Sequence, residues 1–119
     1  MKKIEAIIKP FKLEEVKDAL ENIGISGITA TEVRGFGRQK GQVIYQGLDN
    51  SIHFLPKIRV ELVVAHELAG RACEAIIRAA RTGKIGDGKI FVSSVEKAVP
   101  HPDRGTGREG SDRVLSLYL

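Results

Sequence analysis

Tryptophan is absent from this 119-residue chain, cysteine and methionine occur once each, and four phenylalanines and two tyrosines are its aromatics. A core has therefore to be assembled from Ile, Val, Leu and Ala. The single thiol, Cys73, excludes an internal disulfide framework and points to a reducing compartment. No apolar run approaches the length needed to cross a bilayer, and Met1-Lys2-Lys3 leads into Glu5 and Lys9, so a cytoplasmic protein without membrane insertion is expected. His53, His66 and His101 are scattered at no metal-ligand spacing, and no convincing nucleophile stands beside a base, which weakens enzyme readings. Net charge is only +4 with a pI near 9.4. That permits an anionic ligand but is mild for a nucleic-acid binder. The length fits one domain, 1–119, small enough for association to aid its stability.

Periodicity supplies the elements. Residues 3–9 alternate, with Ile4, Ala6 and Ile8 on one face, and predict a strand. Leu13, Val16, Leu20 and Ile23 recur at helical spacing over about 12–23, with Gly24 placed as a C-terminal cap. Residues 28–34 read as a second strand. The order then repeats: a strand over 57–65, a helix over 67–81 and a strand over 90–95. Two strand-helix-strand units predict an α+β, ferredoxin-like fold, a four-stranded antiparallel sheet with both helices on one face. Ile7, Val33, Val63, Phe91 and Val95 have the parity of the other face, and their burial is expected to come from further copies of the chain. Residues 36–56 lack sustained periodicity although they join two strands that should pair, so this long connection reads as a working surface. Residues 100–119 are irregular, with a short apolar tail over 113–119 that could add an edge strand.

Two segments invite an anion. Arg81-Thr82-Gly83-Lys84-Ile85-Gly86-Asp87-Gly88-Lys89-Ile90 combines three glycines with lysines at its rim, so amide N–H groups can converge on phosphate. It matches neither a Walker A loop nor the dinucleotide fingerprint, because no Gly-Lys-Ser/Thr occurs and a helix precedes it. The alternative is a loop that only turns the chain, with Asp87 as turn former rather than base. Arg34-Gly35-Phe36-Gly37-Arg38-Gln39-Lys40-Gly41 is the second segment, readable as an anion site or as a basic hinge. Their coexistence in one small domain favours an anionic ligand.

Met1 to Pro10, Thr31 to Gly41, Phe54-Leu55-Pro56-Lys57 and Ala75 to Val92 appear in the order and separations of the PII signal-transduction proteins. The chain resembles that family from Met1 to about Val99. The resemblance implies a non-enzymatic homotrimer with nucleotide sites in clefts between subunits, sensing ATP or ADP and, with Mg-ATP, 2-oxoglutarate. It implies adenine contact at Thr29 and contact with ribose and phosphates at Gly35, Arg38, Gly86, Gly88 and Lys89. Phe36, Gly37, Val63, Asp87 and Arg104 complete the nucleotide set. Gln39 and Lys57 match positions that recognise 2-oxoglutarate, Lys57 by pairing with a carboxylate; Lys40 and Gly41 accompany them, and Gln39 is the candidate ligand for Mg2+. The implied partner is a transporter or enzyme, reached through the 36–56 loop.

The chain departs from the family in two places. Asn50 stands where a modifiable tyrosine is usual, so no nucleotidylation is expected there, and Gln46 replaces a channel-inserting arginine. Pro100-His101-Pro102-Asp103-Arg104 replaces a basic run that reaches phosphate, with Arg104 as the remaining cation. Two other classes carry less support. An acyl-phosphate hydrolase of this fold would need a nucleophile, and an RNA-binding sheet would need an aromatic pair where Phe91 stands alone.

Overall fold

The computed structural model describes residues 1–36 and 54–101. The expectations for Gly37, Arg38, Gln39, Lys40, Gly41, Asn50, Arg104 and the 113–119 tail lie outside the described residues. Those described form β1 (Lys2–Ile8), α1 (Leu13–Asn22), β2 (Thr29–Gly35), β3 (Leu55–Val64), α2 (Ala69–Ala80) and β4 (Lys89–Ser94). The sheet order is β2-β3-β1-β4, with every neighbouring pair antiparallel. This is the ferredoxin-like double βαβ arrangement that the periodicity predicts.

Alternation fixes the core face. Ile4, Ala6 and Ile8 from β1 and Val60 and Leu62 from β3 are at most 1% exposed, opposed by Val16 and Leu20 of α1 and Ala72 and Ile76 of α2. Each helix buries one stripe, the i, i+4 pairs Val16/Leu20 and Ala72/Ile76. Gly24, at φ +91°, ends α1 as expected: its N–H reaches the Glu21 carbonyl at 3.0 Å, and that of Ile25 reaches Leu20 at 3.0 Å. These two bonds make a Schellman cap.

Several boundaries differ from the sequence reading for identifiable reasons. Both helices begin with a single 3-10 turn, Pro10–Lys12 before α1 and His66–Leu68 before α2, so the predicted helices over 12–23 and 67–81 shorten to their α-helical cores. The connection predicted over 36–56 is shorter than read, because β3 already includes Leu55 and Pro56, opposite Gly35 and Arg34. Pairing of β3 with β1 starts only at Ile58, opposite Ile8. Pro56 therefore lies where β3 has no β1 neighbour, a position that tolerates a missing N–H.

Among the described residues no helix covers the second sheet face. Phe91 is 56% exposed there, and Ile7, Val33 and Val95 are half-buried. Val63, expected to need a partner chain, is instead already buried on the inner strand β3. Between these apolar positions runs a charged row, Lys3 to Glu61 at 3.0 Å, Glu61 to Arg59 at 3.6 Å and Arg59 to Glu5 at 3.9 Å.

Candidate glycine-loop site

The chain leaves α2 at Arg81, whose extended backbone (ψ 131°) ends the helix without a glycine and turns directly into the loop. Asp87 organises that loop. Its carboxylate accepts the Thr82 N–H at 2.9 Å, the Gly83 N–H at 3.0 Å and the Thr82 hydroxyl. Lys9, just past the end of β1, pairs with the same carboxylate at 3.2 Å and donates to Thr82 Oγ1 at 3.1 Å. The Thr82 hydroxyl accepts in turn from the Lys84 N–H at 3.1 Å. With so many donors, led by the Thr82 hydroxyl, the Asp87 carboxyl is held well below the ordinary carboxylate range despite some desolvation. The turn-former role is thus the one the geometry shows for Asp87.

Gly88 seats the loop on the sheet. At φ +113°, a Cβ added there would lie 1.7 Å from the Ile7 carbonyl oxygen, so only glycine allows the backbone this close to β1. Lys89 follows at once, opposite Ile7 in the ladder and exposed.

Lys57 approaches from β3. The residue is 8% exposed, and its Nζ donates to the Gly86 carbonyl at 2.6 Å. Burial, and secondarily the nearby Lys9 charge, push its pKa down, while Asp87 opposes that shift. Gly35 on β2 flanks the lysine stem, since a Cβ there would meet Lys57 Cγ at 3.6 Å. A Cβ at that distance makes only ordinary van der Waals contact with the stem.

Two clefts lie at this end of the sheet, one bordering the loop and one beside Lys57. One of about 370 Å³ is walled by Ile7, Ile8, Ile77, Ala80 and Ile90, with Arg81, Asp87, Gly88 and Lys89 at its rim. The other, about 410 Å³, lies beside Lys57 and is lined also by Pro10, Glu32, Val33, Arg34, Pro56 and Ile58. Apolar walls with a cationic rim suit an anion carried on an apolar body.

The structure brings Gly35, Lys57, Gly86, Asp87, Gly88 and Lys89 of the sequence-derived set to one end of the sheet. Phe36 is nearby at the end of β2, where its ring meets that of Phe54 at 5.9 Å between centroids. Thr29 and Val63 are not brought there. Thr29 pairs with Glu61, and Val63 follows two residues on. They stand four and six residues along β3 from Lys57, roughly 13 and 20 Å at strand rise. Lys9 and Thr82 are site residues that the sequence reading misses. Thr82 has a signal in the sequence, because with Asp87 it brackets Gly83 and Gly86; Lys9 is placed only by the register, one step beyond the Ile8–Ile58 pair and level with Lys57.

Fold and site together define a ferredoxin-like domain carrying a cation-rimmed glycine loop. A sequence model of the family described as "Nitrogen regulatory protein P-II" matches residues 1–101. Nitrogen regulatory proteins P-II of Bradyrhizobium diazoefficiens and Haemophilus influenzae are each 56% identical over 115 residues, covering 96% of this chain and all of the relative. Arabidopsis thaliana PII bound to citrate superposes with a TM-score of 0.65 at 39% identity, over 79% of this chain and 76% of that one. The chain belongs to the P-II family of nitrogen regulatory, signal-transducing proteins.

Proposed function

We propose that this chain is a non-enzymatic cytoplasmic sensor in nitrogen and carbon control. ATP and ADP compete for its glycine-loop site, 2-oxoglutarate joins Mg-ATP at Lys57, and the long loop signals the result to a transporter or enzyme. The observation that carries this reading is the buried Lys57 ammonium directed at the same glycine loop that bears the cationic rim. One segment thereby serves a phosphate and a carboxylate. A plant relative bound to citrate, a carboxylate anion, supports the second of these roles.

The ligand-contacting roles of Gly37, Arg38, Gln39, Lys40, Gly41 and Arg104 belong to this proposal. Mg2+ enters with ATP, and Gln39 is its proposed protein ligand; among the described residues no three His, Cys, Asp or Glu side chains are grouped to hold a metal. Among the described residues, too, no helix is long and apolar enough to cross a membrane. Contact with a transporter proceeds through the loop.

A homotrimer accounts for two further observations. Thr29 and Val63 lie far from Gly86 within one chain, and a neighbouring subunit can supply the missing partner to each. The second sheet face also needs cover, since Phe91 is 56% exposed and Ile7, Val33 and Val95 are only half-buried among the described residues. Phe91→Glu is expected to reduce the mass seen by light scattering to that of a monomer, because burying an unpaired carboxylate costs several kcal/mol. An unchanged trimer mass would place Phe91 outside the interface. Calorimetry tests the nucleotide proposal: ATP and ADP should each bind and compete, and heat from neither would sink it.

A further inference from the structure

Among the described residues β4 is an open edge. It pairs with β1 on one side and with no strand on the other, so every second N–H and C=O of Lys89–Ser94 points outward, unmet by the sheet. Devices that blunt such an edge are scarce here. Lys89, at its start, is the one charged residue of the strand, and no proline interrupts it. Both faces of the edge are apolar. Val92, opposite Ile4, belongs to the core side yet is 49% exposed, and Ile77 of α2 is 45% exposed. Ile77 and Ile90 wall the 370 Å³ cleft, and Val92 follows Ile90 on the same side of the strand. Phe91, opposite Glu5, is exposed on the other face.

We propose that residues 113–119 of the same chain pair with β4 as a fifth, antiparallel strand, with Leu115, Leu117 and Leu119 laid against Ile77, Ile90 and Val92. Three features select this occupant. Arg113-Val114-Leu115-Ser116-Leu117-Tyr118-Leu119 repeats leucine at period two, while Val114 and Tyr118 give the opposite parity an apolar character that suits Phe91. Its residues span about 23 Å at strand rise, against about 20 Å for β4. The connection over 95–112 contains Pro100, Pro102, Gly105, Gly107 and Gly110, residue types that reverse a chain, and a reversal delivers an antiparallel neighbour. The added strand runs back toward the glycine loop, along the groove between β4 and α2. Phe91 stays on the face assigned above to further copies of the chain, now beside Tyr118. The inference is independent of nucleotide and 2-oxoglutarate binding.

Amide exchange in the full chain, resolved residue by residue by NMR, reads the pairing directly. In the wild type all β4 amides should be protected, those facing away from β1 as well as those facing it. Leu117→Asp puts a carboxylate into the apolar groove and should speed the outward-facing amides roughly tenfold or more, while those facing β1 keep their rates. Leu117→Ile, apolar and β-branched, should match wild type. Outward amides that exchange at open-chain rates in the wild type overturn the proposal. So does protection that Leu117→Asp leaves intact, which would give the edge to a neighbouring subunit.

Benzoylphenylalanine in place of Tyr118 supplies a readout that does not depend on stability. Its photo-cross-links should fall within residues 89–94, and in assemblies mixed from light and isotope-labelled chains they should join residues of one chain. Cross-links elsewhere on the molecule, or between chains, overturn the proposal.

Discussion

Gly88→Ala is expected to weaken ATP and ADP binding by at least thirtyfold, roughly 2 kcal/mol, while the helices and the rest of the sheet stay folded. Two penalties meet at that residue. An L side chain at φ +113° is strained, at about 1–3 kcal/mol, and a Cβ 1.7 Å from the Ile7 carbonyl oxygen cannot coexist with the present backbone. Because that oxygen belongs to β1, a strand inside the sheet, it is the loop that must retreat. The damage stays local, since Lys89 opposite Ile7 is the last pair of the β1–β4 ladder. Gly83→Ala is the matched control: it has φ +80° with nothing within 4 Å of the added Cβ, so it carries backbone strain without the clash. Calorimetric titration of both variants checks this, and equal losses would show that seating on Ile7 is irrelevant.

Lys57→Met is expected to abolish 2-oxoglutarate binding while thermal stability holds or rises. Removing one partner of a buried charge pair costs about 2–5 kcal/mol of binding, more than thirtyfold in affinity. Folding responds differently, because the lysine burial that pushes its pKa down already opposes the charged form. Methionine preserves most of the stem that packs beside Gly35 and removes the cation. A variant that kept its 2-oxoglutarate affinity would assign the carboxylate to other residues. A large fall in melting temperature would make Lys57 structural first.

The strands and their core face are legible because alternation at Ile4, Ala6, Ile8 and Ile58, Val60, Leu62 encodes a buried face that the structure reproduces. Gly24 is legible as a cap for a similarly local reason. Pro56 hides the start of β3, because a proline argues against a strand interior. Its tolerance depends on where β1 stops, which is tertiary information. Lys9 stays hidden for the same kind of reason. Beside β1 it reads as an ordinary polar position, and only the register that sets it level with Lys57 brings it to Asp87. Asp87 is legible as a turn former, yet the consequence, that the turn delivers Gly86 to Lys57, requires the fold.

If one loop couples a phosphate to a carboxylate, the 2-oxoglutarate dissociation constant must depend on nucleotide. The most direct measurement is therefore that constant for the wild-type protein with and without saturating Mg-ATP. Coupling predicts binding at least tenfold tighter with nucleotide, about 1.4 kcal/mol, and a reciprocal gain for ATP when 2-oxoglutarate is present. Equal dissociation constants in the two conditions would contradict it.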